Sequence, residues 1–340
     1  LAWLLAGGAR RALVLGGGLL ATALAALTVP DPFVFALERL HRGERELWRE
    51  EGVQTTVSVH ERGRGRDAHR VMYLDGRHQA NDTRQTLFVH RRIGVLPMAI
   101  HPDPKRALVI GLGGGATPGG VAQFPQTEVT VVELSRTVVH GAEWFRHANF
   151  DLLRRPNVRL RVDDGRNHLL LTPTRYDVIT ADIMLPVHAG ATSLYSAEYF
   201  RLVQRALDYD GVVLQWIGSS SEAEYKLILR TFLSVFRNTT VWADGSLLVA
   251  TKPPLVLERA AFERKLADPA SAAALKSIGL DSFDRLLSLF VAGPDELRAF
   301  AGPGPILTDD RPTVEYFLTL PREPEVDLSG LRGDVTRFVR

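Results

Sequence analysis

The run Val109-Ile-Gly-Leu-Gly-Gly-Gly115 joins a short apolar stretch to the head of a helical one, and no other feature restricts the fold as tightly. Glycines at such a junction permit tight turning and let a ligand approach the backbone N–H groups that open the helix. By itself the loop is a strand-to-helix turn, matching neither the phosphate loop GxxxxGK(S/T) nor a clean GxGxxG. Glu133 adds weight, because it closes the next apolar run about twenty residues later, where an acid meets ribose hydroxyls in nucleotide-binding sheets. Gly111 and Gly113 are thus candidate ligand contacts, with Glu133 as their partner.

From Lys105 onward, short apolar runs alternate with helical stretches, which predicts a mostly parallel sheet with helices on both faces. Strands are expected at Ala107–Gly111, Val129–Glu133, Val158–Val162, Tyr176–Ala181 and Gly211–Trp216. A helix near Glu222–Phe236 leads to Thr239–Trp242 and Ser246–Thr251, which flank Ala243-Asp-Gly245 as a closing hairpin. Ahead of this sheet, β-branched alternation over Gln54–Ala80, with the turn signal Asp75-Gly76, predicts a small β unit. Residues 256–300 read as helical, and the tail beyond Gly302 as proline-rich and irregular.

Ala12–Val29 is eighteen residues without a charge, the short end of what spans a bilayer as a helix, and we read it as transmembrane. A signal peptide and a buried helix compete with that reading, since Arg10 and Arg11 precede the run and small residues lie near its end. Leu1–Ala6 is also apolar and suggests the end of an earlier span. Arg39, Arg42, Arg45 and Arg49 outnumber Arg10 and Arg11, which places the remainder on the cytoplasmic side of an inner or plasma membrane. Phe33–Glu51 then reads as an amphipathic connector at the membrane surface or a solvated linker helix.

At 340 residues the chain is too long for one average domain, and its 45% hydrophobic content supplies a large core. A net charge of +2, from 41 basic and 39 acidic side chains, gives no basic stripe for nucleic acid. The absence of cysteine removes disulfides and thiolate chemistry. The ten histidines show no metal-ligand spacing, and Gly218-Ser-Ser-Ser221 lacks the GxSxG of a nucleophile elbow, so no metal site or serine nucleophile is expected.

Carboxylates mark the remaining strand ends. Asp163-Asp164-Gly165 ends the third parallel strand and Asp182 the fourth, on the edge where open α/β sheets bind ligands. Asp164 is ambiguous between a site carboxylate and a helix N-cap, since it precedes the helix Arg166–Leu171. Asp182 lies between Val178-Ile-Thr-Ala181 and Ile183-Met-Leu-Pro186, an apolar setting with little use for a solvating charge, and is the best candidate acid or base.

Three stretches carry a specific resemblance: Leu74-Asp-Gly-Arg-His-Gln79 with Leu96-Pro97 and His101-Pro-Asp-Pro104; the glycine loop; and Tyr176–Asp182 with Ser193-Leu-Tyr-Ser-Ala-Glu-Tyr199. Together, over about residues 50–255, the chain resembles the spermidine synthase (polyamine aminopropyltransferase) family. Thr308-Asp-Asp-Arg-Pro312 with Glu315-Tyr316 resembles members fused behind a membrane domain. The resemblance implies a Rossmann-like fold of the class I S-adenosylmethionine methyltransferase type and no permanently bound cofactor. Decarboxylated S-adenosylmethionine would be the co-substrate, a small amine the acceptor, and a homodimer is among the open arrangements. By motif position, Glu133 would hold the ribose, Asp163, Asp164 and Gly165 would lie on the adenine side, and Gln54 and Gln79 would reach in from the β unit. His90 would be a site histidine and Asp182 the proton acceptor.

Three departures qualify this. Gly114 stands where the family carries an acid in its loop, Asp182-Ile-Met-Leu-Pro186 lacks the family's second carboxylate, and Val89-His-Arg91 replaces an aromatic and an acid. A buried dication needs paired carboxylates, so ordinary putrescine chemistry is not implied. Intact S-adenosylmethionine and methyl transfer form an alternative, and a non-catalytic nucleotide-sensing domain a second one. The expected organisation is a transmembrane segment over 1–30, a linker over 31–50, a small β domain over 51–92, a Rossmann-like domain over 93–255 and a helical extension over 256–340.

Overall fold

The computed structural model describes residues 8–28, 39, 41–183, 191–218, 221–315 and 325–340. The chain divides into two compact units, Leu1–Arg45 and Glu46–Arg340.

In the first unit, Gly8–Thr28 forms helix α1. Among the described residues no helix is long and apolar enough to cross a membrane, which overturns the expected transmembrane span over Ala12–Val29. The charge-free part of α1 runs from Ala12 only to Thr28, roughly 25 Å at ~1.5 Å per residue, short of the ~30 Å hydrocarbon core. Gly16, Gly17 and Gly18 further dilute its apolar surface. The expected membrane placement falls with the span. Leu1–Ala6, Val29 and most of the expected connector lie outside the described residues.

The second unit opens within β1 (Arg45–Glu51), which β2 (Thr56–Arg62), β3 (His69–Leu74) and β4 (Arg77–Asn81) follow in a four-stranded sheet in that order. Arg45–Glu51 was expected to continue the amphipathic connector and is instead a strand, because Leu47 and Trp48 pack onto the core. Asp75 and Gly76 both have positive φ (48° and 77°), the primed-turn geometry that matches the twist of a two-residue hairpin between β3 and β4.

Helix α2 (Arg84–Ile100) follows, capped by the Thr83 hydroxyl, which accepts from Thr86 N. Its second half, Ile93 to Ile100, is buried all round. The large sheet then assembles from β5 (Arg106–Ile110), α3 (Ala116–Val121), β6 (Glu128–Glu133), α4 (Arg136–Ala142), β7 (Val158–Val162), α5 (Gly165–Leu171), β8 (Tyr176–Ala181), α6 (Ala197–Ala206), β9 (Leu207–Trp216), α7 (Glu222–Val235), β10 (Asn238–Trp242) and β11 (Leu247–Thr251). Beyond it lie α8 (Arg259–Ala267), α9 (Pro269–Ser277), α10 (Phe283–Ser288), β12 (Phe290–Ala292) and α11 (Pro294–Ala301).

The strand order is β12-β10-β11-β9-β8-β5-β6-β7. β5 pairs in parallel with both β6 and β8, and β9 with β8, while β11 returns antiparallel to β9. The five expected parallel strands and the closing hairpin are present, in a Rossmann-like α/β sheet. β12 was not foreseen: three residues are too few to show a period, and only pairing with β10 makes them a strand. Strand order reverses beside β5, so the ends of β5 and β8 form the crevice where doubly wound sheets take ligands. Val57, Val59 and Met72 of the small sheet share one hydrophobic core with Ile93, Leu96, Val109 and Val131. The small sheet is thereby fixed beside that crevice.

Candidate active site

Ile110 passes directly into the glycine loop, where Gly111, Gly113 and Gly115 all take positive φ (93°, 51° and 85°). Gly111 is required twice over: besides its φ, a Cβ there would lie 2.4 Å from the backbone oxygen of Asp182. The two strand ends are therefore in backbone contact, tied further by Asp182 N donating to Ile110 O at 3.0 Å. Gly114 has ordinary φ but little room, since a Cβ would meet Ala80 at 3.1 Å and the Phe145 ring at 3.6 Å. Crowding from the small sheet thus accompanies the missing loop acid.

Glu133 holds the loop from below. Its Oε2 accepts from Leu112 N and its Oε1 from Ser135 N, each at 2.9 Å. Burial pushes the Glu133 carboxyl up from its ordinary pKa, against the pull of those backbone amides. The backbone amides of Gly113 and Leu134 add to these contacts, so the carboxylate is bound to the loop and to the turn after β6 together.

Asp182 and His90 meet across 92 residues of sequence. His90, on α2, places Nδ1 2.8 Å from Asp182 Oδ2, and the Thr117 hydroxyl lies 2.5 Å from the same oxygen and 2.6 Å from His90 O. Burial alone would raise the Asp182 pKa, but the His90 charge and the hydrogen bonds from His90 and Thr117 win, and it is lowered. His90 is raised in turn, chiefly by the Asp182 charge and against desolvation. Both contacts fall on Oδ2, so His90 and Thr117 leave the other carboxylate oxygen, Oδ1, to another donor.

Gln79 and Gly113 line the same cleft as His90 and Asp182, and an ideal Gly113 Cβ lies 3.8 Å from Gln79 Nε2. Asp163 and Asp164 occupy the neighbouring strand end, where Asp163 N donates to Glu133 O at 3.0 Å. Both carboxylates serve the start of α5: Asp164 Oδ1 accepts from Asn167 N at 2.9 Å, and Asp163 Oδ1 from Asn167 Nδ2 at 3.0 Å. A Cβ on Gly165 would sit 2.6 Å from Ile110 Cγ2, so glycine lets α5 start against β5. Gln54 lies on the exposed turn between β1 and β2, which packs through Gly52 on Thr137, two residues beyond the Ser135 amide that binds Glu133. Arg91, expected to put a cation where an acid had stood, turns away: its guanidinium donates to Ala148 O at 2.8 Å and lies 4.5 Å from the Phe150 ring centroid.

Thr117 and Asn149 escaped sequence reasoning. Asn149 is buried and donates to Gly114 O and Ala142 O, each at 3.1 Å, fixing the loop from its far side. A threonine at a helix start reads as ordinary capping, and an asparagine after an aromatic turn carries no signal at all. Pro186 and the residues around it, where the family's second carboxylate would stand, lie outside the described residues, as does Tyr316. Among the described residues no group of three or more acidic or histidine side chains could hold a metal ion.

Comparison with known proteins bears on what this arrangement does. Residues 86–238 match the spermine/spermidine synthase domain. The chain is 31% identical over 241 residues to a polyamine aminopropyltransferase of Aeropyrum pernix, covering 65% of this chain and 75% of that protein. It is 27% identical over 318 residues to polyamine aminopropyltransferase 2 of Pseudomonas aeruginosa, covering 86% and 85%. Its fold is similar to the crystal structure of spermidine synthase from Thermotoga maritima, with a TM-score of 0.54 at 20% identity over 69% of this chain and 88% of that one. A fold of the nucleotide-binding type, a carboxylate set at its switch point and relatives of this coverage converge: the chain belongs to the spermine/spermidine synthase family and is a transferase of the polyamine aminopropyltransferase type.

Proposed function

We propose that the chain transfers the aminopropyl group of decarboxylated S-adenosylmethionine to a small amine, with Asp182 as proton acceptor. The acceptor nitrogen attacks the propyl carbon next to the sulfonium. The new C–N bond forms as the C–S bond breaks, and the sulfur keeps the electron pair as methylthioadenosine. The sulfonium does most of the electronic work, so the protein's part is alignment and removal of one ammonium proton. The Asp182 pKa is lowered by the His90 charge and by hydrogen bonds from His90 and Thr117, against burial, and Oδ1, which neither of them contacts, would receive the proton. Glu133 would take the ribose hydroxyls, Gln79 the donor over the loop, and Asp163, Asp164 and Gly165 the adenine side.

The observation that carries this reading is the Asp182 carboxylate, fixed by His90 and Thr117 at the strand end that touches the glycine loop. Asp182→Asn tests it. With decarboxylated S-adenosylmethionine and putrescine as probes, kcat should fall by about 10²–10⁴, while methylthioadenosine binding by calorimetry stays near the wild-type value. An Asp182→Asn enzyme retaining most of its kcat would overturn Asp182 as acceptor. Wild-type protein that methylates with the intact donor and transfers no aminopropyl group would overturn the donor.

A further inference from the structure

Thr308-Asp-Asp-Arg-Pro312 concentrates charge that the transfer chemistry leaves without a task, and Asp309 is its most engaged member. The Arg166 guanidinium grips it with both ends, Nη1 to Oδ1 at 2.8 Å and Nη2 to Oδ2 at 2.6 Å. The Ser196 hydroxyl donates to Asp309 Oδ1 at 2.6 Å, and Asp309 N donates to Glu198 Oε2 at 3.1 Å. Arg166 also donates to Ser193 O at 2.5 Å. One carboxylate thus joins the beginning of α5, directly after Asp164-Gly165, to the turn Ala191–Leu194 and the head of α6.

We propose that Asp309 is a positioning residue of the active site: with Arg166 and Ser196 it clamps the Ser193–Ser196 turn so that Tyr195 is held beside Asp182. The proposal rests on the reading of Asp182 as the reacting carboxylate. Ala181 pairs with Gln215 in the sheet, so Asp182 and Trp216 follow one another across adjacent strand ends. Tyr195 is fully buried and donates its hydroxyl to Trp216 O at 3.4 Å, which brings it to that same edge. The tyrosine is pushed above its ordinary pKa by burial, by Tyr199 and by the Asp182 charge, in keeping with that proximity. A bidentate arginine–carboxylate pair fixes orientation as well as distance, which a lysine or a single hydrogen bond does not.

The tail backbone is secured independently, by Ala197 N to Leu307 O at 2.9 Å and Leu307 N to Thr231 Oγ1 at 2.8 Å. Loss of one side-chain charge therefore leaves the tail docked. In the full chain, Asp309→Asn should lower kcat for aminopropyl transfer about tenfold, the scale of a modest misplacement of reacting groups, with the donor KM within about twofold of wild type. Asp310→Asn, whose exposed carboxylate accepts from the Thr308 hydroxyl within the turn, should leave kcat unchanged and serves as control. A tail that merely supports the fold would lower the melting temperature and leave kcat at wild type, and that result overturns the proposal. If Asp309→Asn fails to fold, Ser196→Ala removes one bond of the clamp and is judged by the same loss of kcat. Should the wild-type chain transfer no aminopropyl group, the functional reading falls, and amide exchange at Tyr195 and Ala197 decides the clamp alone. Rates at least tenfold faster in Asp309→Asn support it, and equal rates overturn it.

Discussion

At Asp182 two neighbours set the charge state, and the consequences run in opposite directions with pH. The His90 pKa is raised in the fold, so its contribution to stability is full below ~6.5, the unfolded-state value, and is lost as pH rises through the folded value. The Asp182 pKa is lowered, so its contribution is present above ~3.9 and is lost as pH falls through the folded value. The stability gap between wild type and His90→Gln should therefore be widest from about pH 4 to 6.5 and narrow above that. Thermal unfolding across pH 4–9 measures it, and a gap independent of pH would separate His90 from Asp182. Thr117→Val removes the one hydroxyl proton that the Asp182 carboxylate and the His90 carbonyl share inside a tight contact. A loss of about 1–3 kcal/mol in unfolding free energy is expected, and denaturant titration reads it.

At the scale of elements, the glycine loop and the head of α3 are held by contacts from three directions: β8 through Gly111, the small sheet through Gly114, and Asn149 through Gly115. Positive φ accounts for only part of the demand. Gly279, after α9, has φ +79° with open space around an added Cβ, whereas Gly111 has φ +93° and backbone 2.4 Å away. Gly279→Ala should cost only the conformational strain, about 1 kcal/mol. Gly111→Ala should cost several times more and abolish transfer, because the strand end bearing Asp182 must move to admit the methyl. Paired chemical-denaturation curves and kcat values compare the two, and equal costs would reduce Gly111 to a φ requirement.

At the scale of the molecule, the C-terminal helices are joined to the end of α2 by a buried lysine. Lys265, on α8, donates to Ala99 O at 3.1 Å and also to His101 O, satisfying carbonyls at the C-terminal end of the helix that carries His90. Burial brings its pKa down to about 7. The unfolded chain keeps that proton up to ~10.4, so wild-type stability should rise with pH between about 7 and 10. Lys265→Met should remove the rise, at most about 1.4 kcal/mol per pH unit. Denaturant midpoints from pH 7 to 10 for both proteins provide the check, and parallel curves would place the titration elsewhere.

Strand periods, the Gly111–Gly115 loop and the acids closing β6 and β8 were legible because each rests on local chemistry: alternation, glycine torsions and a charge where an apolar run stops. The helix over Gly8–Thr28 was legible for the same reason, but its capacity to cross a membrane was not, since that turns on a few ångströms of charge-free length. Motif resemblance supplied His90 as a site residue but not the contact it makes. The Thr117 bridge, the turning away of Arg91, the Lys265 cap and the Arg166–Asp309 clamp were decided by tertiary structure alone. Each joins groups that are unremarkable in their own segments and acquire a role only when folding removes water from around them and leaves one partner within reach.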